Sequence, residues 1–169
     1  KTNPLYWNGN IPWMTVKDYA KNPDGIINNT EDFITEKGLK ESSSNLIEAN
    51  NIIVCTRMGL GKIAINTIDV AINQDLRAFY LSKNISKKYF LDVYKTYEIN
   101  GSGMTVMGIK KEELLNFLFP LPPLKEQEEI VNKVESLLNK VTELENQIQE
   151  RKQLSEKLVF GVIKEKLER

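Results

Sequence analysis

Histidine is absent from all 169 residues. That absence removes imidazole acid/base chemistry, a Ser-His-Asp triad and histidine metal ligands together. The single cysteine, Cys55, excludes an internal disulfide and fits a reducing cytoplasm. No apolar run is long enough to cross a bilayer, and no secretory signal is visible. Charge of one sign is missing too, with 23 basic side chains against 23 acidic ones. Residues 1–123 hold 14 basic and 13 acidic side chains, and residues 124–169 hold 9 and 10. Neither part is globally basic, so any binding of nucleic acid must rest on a local patch. There is no internal repeat and no low-complexity tract. The chain opens on Lys1 rather than methionine, so a trimmed product with an upstream segment is expected.

What the chain does have is one long regular stretch, from Phe119 to Arg169. Pro122 and Pro123 suit a helix entrance, and Glu126, Glu128 and Glu129 place carboxylates where they complement the amide dipole. A helix starting near Leu124 is therefore expected. Alternate steps of four and three give Ile130, Val134, Leu137, Val141, Leu144 and Ile148, a heptad seam with Val134, Val141 and Ile148 at a and the others at d. That seam favours two strands, and by itself a parallel pair. It falters at Arg151 and Ser155, polar positions of the kind that fix register and partner, and recovers at Leu158 and Val162. Gly161 costs about 1 kcal/mol against alanine in a helix interior. Val131, Leu138 and Val159 widen the stripe beyond a strict seam, as packing on the chain's own domain or on a further subunit would require. About 45 residues at about 1.5 Å each make a rod of about 65 Å, which a domain of some 120 residues cannot cover.

Upstream, Lys1 to Asn10 is turn-rich, and Ile11, Trp13 and Val16 suggest a short extended segment, with Pro12 arguing for an edge or a loop. Ala20 to Glu48 alternates polar clusters with brief apolar groups and is expected to be irregular connection around a short strand at Phe33 to Thr35. Asn51 to Met58 is a β-branched buried-strand run, and two more strand-like runs follow up to Leu81. Ser86 to Tyr97 has helical spacing with Ser86 as N-cap. A three-glycine segment around a short strand, one or two helical turns and a strand at Phe117 to Leu121 lead into the long helix.

Few local motifs carry chemistry. Gly59-Leu60-Gly61-Lys62 fails the Walker pattern, because Thr56 stands where glycine is needed and Ile63 where serine or threonine is. Gly59, Gly61 and Ala64 fit dinucleotide spacing, yet the β-branched residues that follow do not suit the required helix and no acidic residue stands at the expected distance. A tight β-turn explains it better, and no nucleotide binding is expected. That turn carries Arg57 and Lys62, two potential phosphate or base-edge donors, against which stands simple solvation. The Pro122-Pro123 pair lacks both flanking residues of the Asn/Asp-Pro-Pro-aromatic signature of amino-methyltransferases. Asn73 and Gln74, in a strand pattern, could read adenine, although amides at strand ends more often satisfy backbone groups. Lys87, Lys88 and Tyr89 make a small basic-aromatic cluster whose ordinary explanation is a solvated face. The loop Gly101 to Thr105, with Ser102 and Thr105, lets a backbone approach closely, with a hairpin turn as the plain alternative. No nucleophile, base and oxyanion donor converge.

Taken in order, GNIPWMTVKDY (Gly9 to Tyr19), TEDFITEKGLKES (Thr30 to Ser42), the strand ending in Arg57 with its glycine turn, AINQDLRAF and GMTVMGIKKEELLNFLFPLPPLKEQEEIV resemble a target recognition domain and its spacer helix. The family is the specificity subunit of type I restriction-modification systems. The resemblance covers nearly the whole chain and is most specific at Pro-Pro-Leu followed by Glu126, Gln127 and Ile130. Family members usually carry two recognition domains and two long helices, so this chain resembles a half subunit. The first strand and turn that members carry before the stretch matching Tyr6-Trp7 are not in this sequence. The resemblance implies a domain that reads one half of a bipartite double-stranded DNA site, and a helix that spaces it from the second half in antiparallel pairing. It also implies methyltransferase subunits, and a restriction subunit in some systems, as partners. Catalysis and S-adenosylmethionine then belong to the methyltransferase.

The expectation is thus an α+β protein. Residues 1–123 form a mostly antiparallel, twisted-sheet recognition domain, and residues 124–169 form a spacer and dimerisation helix. The DNA-contact residues expected are Arg57, Lys62 and Gln74, which lie in matching stretches, and Lys87, Lys88, Ser102 and Thr105, chosen on chemistry. Ile130, Val134, Leu137, Val141, Leu144 and Ile148 are expected to join two copies in the cytoplasm. With about 34 to 36 Å per duplex turn, the rod suits one turn between half-sites and sets two as an upper bound. The competing reading is a coiled-coil assembly or adaptor module that binds protein instead of DNA.

Overall fold

The computed structural model describes residues 3–101 and 108–167. A short 3-10 turn at Pro4–Tyr6 leads into β1 (Trp7–Met14), and α1 (Val16–Lys21) follows after one residue. The sharp change of direction comes from a capping box. The Thr15 N–H donates to Asp18 Oδ2 at 2.7 Å, the Lys17 N–H donates to Thr15 Oγ1 at 3.3 Å, and Asp18 is itself buried. Val16, expected in an extended segment, is therefore helical. The stretch expected to be irregular holds β2 (Ile26–Ile27), β3 (Asp32–Ile34), α2 (Glu36–Glu41) and β4 (Asn45–Ile47). These elements are two to six residues long, too short for hydrophobic periodicity to declare them. Thr35 caps α2 by accepting the Gly38 N–H at 3.0 Å.

The apolar run then becomes β5 (Ile52–Cys55), followed by β6 (Ile63–Asn66), β7 (Val70–Ile72) and β8 (Leu76–Phe79). The strands make two four-stranded sheets, ordered β3-β1-β7-β4 and β2-β6-β5-β8. Four of the six pairings are antiparallel, and β1-β7 and β2-β6 are parallel. The expected antiparallel predominance holds, but in two sheets. Burial explains why β5 reads as a continuous apolar run. Ile53 and Cys55 enter one core with Met14, Ile47, Val70 and Leu76, whereas Ile52 and Val54 enter a second with Ile63, Leu91 and Leu114. Alternate residues point to opposite faces, and both faces are covered.

The second core is closed by α3 (Lys87–Tyr94) and α4 (Lys111–Leu115). Ser86 caps α3 as expected, accepting the Tyr89 N–H at 3.4 Å. The strand expected at Phe117 to Leu121 does not form. Tyrosine hydroxyls hold this backbone instead: Tyr97 donates to the Leu118 carbonyl at 2.6 Å and Tyr89 to that of Pro120 at 3.1 Å. The Phe117 ring stacks on Tyr97 at 5.1 Å, and that of Phe119 lies 5.1 Å from Phe90. The carbonyls of Leu118 and Pro120 and the rings of Phe117 and Phe119 are thus engaged by α3 and the residues just after it, in place of a neighbouring strand.

The last element, α5 (Leu124–Leu167), is 44 residues long, about 65 Å at 1.5 Å per residue. Its Gln127 N–H donates to the Pro123 carbonyl at 3.1 Å, so the helix begins immediately after the proline pair. The chain divides into two compact units, Lys1–Glu128 and Glu129–Arg169, so the first turn of α5 belongs to the first unit.

Candidate nucleic-acid interface

Beyond β5 the chain leaves the sheet through Thr56, whose backbone is fixed on both sides. Its N–H donates to the Asp75 carbonyl at 2.8 Å, and its carbonyl accepts the Ile109 N–H at 3.0 Å. Arg57 follows in an isolated antiparallel bridge with Gly108. The next residues close a tight turn: the Lys62 N–H donates to the Gly59 carbonyl at 3.2 Å, and the Cys55 N–H to that of Lys62 at 2.9 Å. Gly61 has φ of 84°, the left-handed conformation that glycine adopts without steric cost. Since β6 starts at Ile63, the glycine turn joins two antiparallel strands, as the turn explanation expects, and the helix of a dinucleotide site is not there.

A second turn meets the first. Asn73, Gln74 and Asp75 link β7 to β8, so Asn73 and Gln74 stand in a turn and not, as their pattern suggested, within a strand. Asn73 is spent on its own turn: its Oδ1 accepts the Asp75 N–H at 3.1 Å, and its Nδ2 donates to Asp75 Oδ2 at 3.3 Å. Gln74 is exposed, with Oε1 accepting a hydrogen bond from Ser43 Oγ at 3.3 Å. Arg57 Nη1 lies 3.7 Å from Asp75 Oδ1. Partly exposed, this ion pair costs little to exchange for another partner.

The two turns border a groove of about 500 Å³ lined by Trp13, Lys17, Asp32, Met58, Lys62 and Asn73 among others. A smaller cavity of about 250 Å³ adjoins it, where Trp13, Ser43, Asn73 and Gln74 meet. Trp13 belongs to both; its Nε1 donates to Ser44 Oγ at 3.1 Å and its ring meets Trp7 edge-on at 4.9 Å. Lys62 thus lines the larger groove and Gln74 the adjoining cavity, and Arg57 reaches their border through its ion pair with Asp75, a lining residue of the groove. This rim offers cationic and amide donors around an aromatic and methionine floor, groups suited to phosphates and base edges. Among the described residues no group of three or more histidine, cysteine, aspartate or glutamate side chains could hold a metal. Burial pushes the Cys55 thiol up to about 11, so this neighbouring sulfur is a protonated core group at neutral pH.

The other expected contact residues are placed differently. Lys87 and Lys88 occupy the first turn of α3, beside the Ser86 cap, on an element that carries none of the rim residues. Ser102 and Thr105 lie outside the described residues. The glycines bounding that segment adjoin the rim: a β-carbon on Gly101 would collide with Leu60, and one on Gly108 would press on Arg57. Of the seam, Ile130, Leu137, Val141, Leu144 and Ile148 are between 37% and 66% exposed, and Val134 is half-buried. Sequence reasoning missed Met58, Trp13, Lys17 and Asp75 as members of the rim. The Asn-x-Asp turn signature could have found Asp75 and the capping box Lys17, whereas nothing local marks Met58.

The sequence model described as the type I restriction modification DNA specificity domain matches residues 1–152. A type I restriction enzyme specificity subunit from Escherichia coli is 33% identical over 140 residues, covering 75% of this chain and 33% of that protein. The specificity subunit MjaIX of Methanocaldococcus jannaschii is 30% identical over 131 residues, covering 74% of this chain and 30% of that protein. The chain spans about a third of the length of these curated relatives. Among solved structures, a chain from a study of complex assembly and conformational transition of the type I R-M system superposes with a TM-score of 0.66 at 20% identity, covering 85% of this chain and 35% of that one. The HsdS subunit of Thermoanaerobacter tengcongensis superposes with a TM-score of 0.62 at 16% identity, covering 84% and 34%. At those identities the structures speak for the fold, and the family match over residues 1–152 for kinship: the chain belongs to the type I restriction-modification DNA specificity family.

Proposed function

We propose that this chain reads one half of a bipartite double-stranded DNA site and directs type I methyltransferase subunits, and a restriction subunit where one exists, to it. The supporting observation is that the turns after β5 and β7 bring Lys62 to the groove, Gln74 to the cavity adjoining it, and Arg57 to Asp75 at their border. Arg57 exchanges its partly exposed carboxylate for a base edge, Lys62 meets a phosphate, and Gln74 turns its amide to a base. Lys87 and Lys88 take phosphates away from the rim, and Ser102 and Thr105 contact DNA from the segment that Gly101 and Gly108 bound. Catalysis and S-adenosylmethionine belong to the methyltransferase partner, in the cytoplasm.

Two copies pair through Ile130, Val134, Leu137, Val141, Leu144 and Ile148. The exposure of five of these six argues for it, because water-exposed heptad seams of this length gain roughly 1.5 to 3 kcal/mol for each large aliphatic side chain fully buried. The pair holds two recognition units on an interrupted palindrome. The test is selection of bound sites from random duplexes, with the methyltransferase subunits present, followed by mobility shifts across salt. Enrichment of a split site and steep salt dependence are expected. Unselective binding insensitive to salt refutes the assignment.

A further inference from the structure

We propose that Met58 is a specificity-determining residue, touching the C5-methyl group of a thymine next to the base edge that Arg57 meets. This rests on the DNA-reading role proposed above. Met58 is 69% exposed, an unusual setting for a large apolar side chain placed between the rim cations Arg57 and Lys62. It lines the 500 Å³ groove together with Trp13 and Val16, so its side chain continues an apolar floor rather than standing alone on a polar surface. Its backbone has φ of 55°. The other non-glycine residues with positive φ, among the described residues, are Asn8 and Asn50, of the type that tolerates this region. Methionine has no such tolerance, and its side chain gains little burial in return.

Strain held with so little packing in return points to use of the side chain outside the fold. The supports around it are rigid: Thr56 is bonded to Asp75 and Ile109, and a β-carbon on Gly59 would collide with Val16. Met58 is therefore presented from a fixed turn, next to the backbone of Arg57, which is itself held in the bridge to Gly108. In the major groove the thymine methyl is the apolar feature of the base edges, and an apolar side chain beside a base-reading arginine is suited to it.

The test removes one methyl group from the DNA. On a selected site, each thymine is replaced in turn by deoxyuridine, and affinity is measured with the full chain and the cognate methyltransferase subunits. One position is expected to lose about four-fold, the value of one buried carbon at about 0.8 kcal/mol. In M58A that position becomes indifferent to the methyl group. M58G is expected to be equally indifferent and to melt higher than the native chain, since it relieves the left-handed backbone, which separates lost contact from lost folding. Equal affinity for thymine and uracil at every position, or a preference that survives in M58A, overturns the inference and leaves the DNA-reading role standing. Unstacking reported by 2-aminopurine without thymine dependence also overturns it, in favour of a wedge. Absence of any selective duplex binding removes both.

Discussion

Gln127 is completely buried in the first turn of α5, and its amide holds three backbone groups. Nε2 donates to the carbonyls of Asn84 at 2.9 Å and Pro122 at 2.8 Å, and Oε1 accepts the Ser86 N–H at 2.8 Å. One side chain thus joins the entrance of α5 to the loop before α3 and to the proline turn. Q127M keeps the length and volume and removes every polar atom, so it isolates the hydrogen bonds from the packing. Each backbone group left without a partner costs about 1 to 3 kcal/mol, and the Ser86 N–H is hard to satisfy otherwise because it sits at the start of α3. Part-buried carbonyls recover some of this from water, which puts the expected loss at about 3 to 5 kcal/mol. At roughly 3 °C per kcal/mol for a chain of this size, the melting temperature falls by about 10 to 15 °C. Urea unfolding followed by Trp7 and Trp13 fluorescence, together with thermal melts, measures both quantities. A loss below 1 kcal/mol would show that water replaces the amide and that Gln127 is not the anchor the geometry makes it.

R57A is expected to relax selection at one base position, at about 1 to 3 kcal/mol, while K62A weakens all duplexes alike and reduces the salt slope by about 1; site selection at two salt concentrations distinguishes them. Inserting seven residues near Arg151 should lengthen the preferred gap between half-sites, as scored by selection, and an unchanged gap counts against α5 as a ruler. Alkaline pH should expose Cys55. Its folded-state value of about 11 exceeds the ordinary thiol value, so the unfolded chain releases the proton first and stability falls as pH rises from about 9 towards 11. C55A should flatten that part of the urea-midpoint profile, and an identical slope in both chains would refute the buried-thiol contribution.

Parts of this protein could be read without coordinates wherever neighbours in sequence carry the cause. The proline pair and acidic first turn mark the entrance of α5, Ser86 caps α3, and β-branched residues make β5 a strand. The glycine turn could likewise be separated from a nucleotide loop by the β-branched residues after it. The candidate site was legible only in pieces. Arg57, Lys62 and Gln74 were chosen on side-chain chemistry and on matching stretches, but the approach of their two turns depends on Asp75 reaching back to Thr56 and Arg57.

By itself, then, the sequence determined the long helix with its seam, the β-rich unit before it and the exclusion of histidine chemistry, because each follows from residue type and local period. Only the tertiary structure decided the division into two sheets, the helical Val16 and α2, and the irregular path of Phe117 to Leu121. Strands of two to four residues have too little local preference to choose partners. Their pairing is settled by which faces two cores must cover and by which buried carbonyls need a donor, such as the one Tyr19 supplies to Ile53.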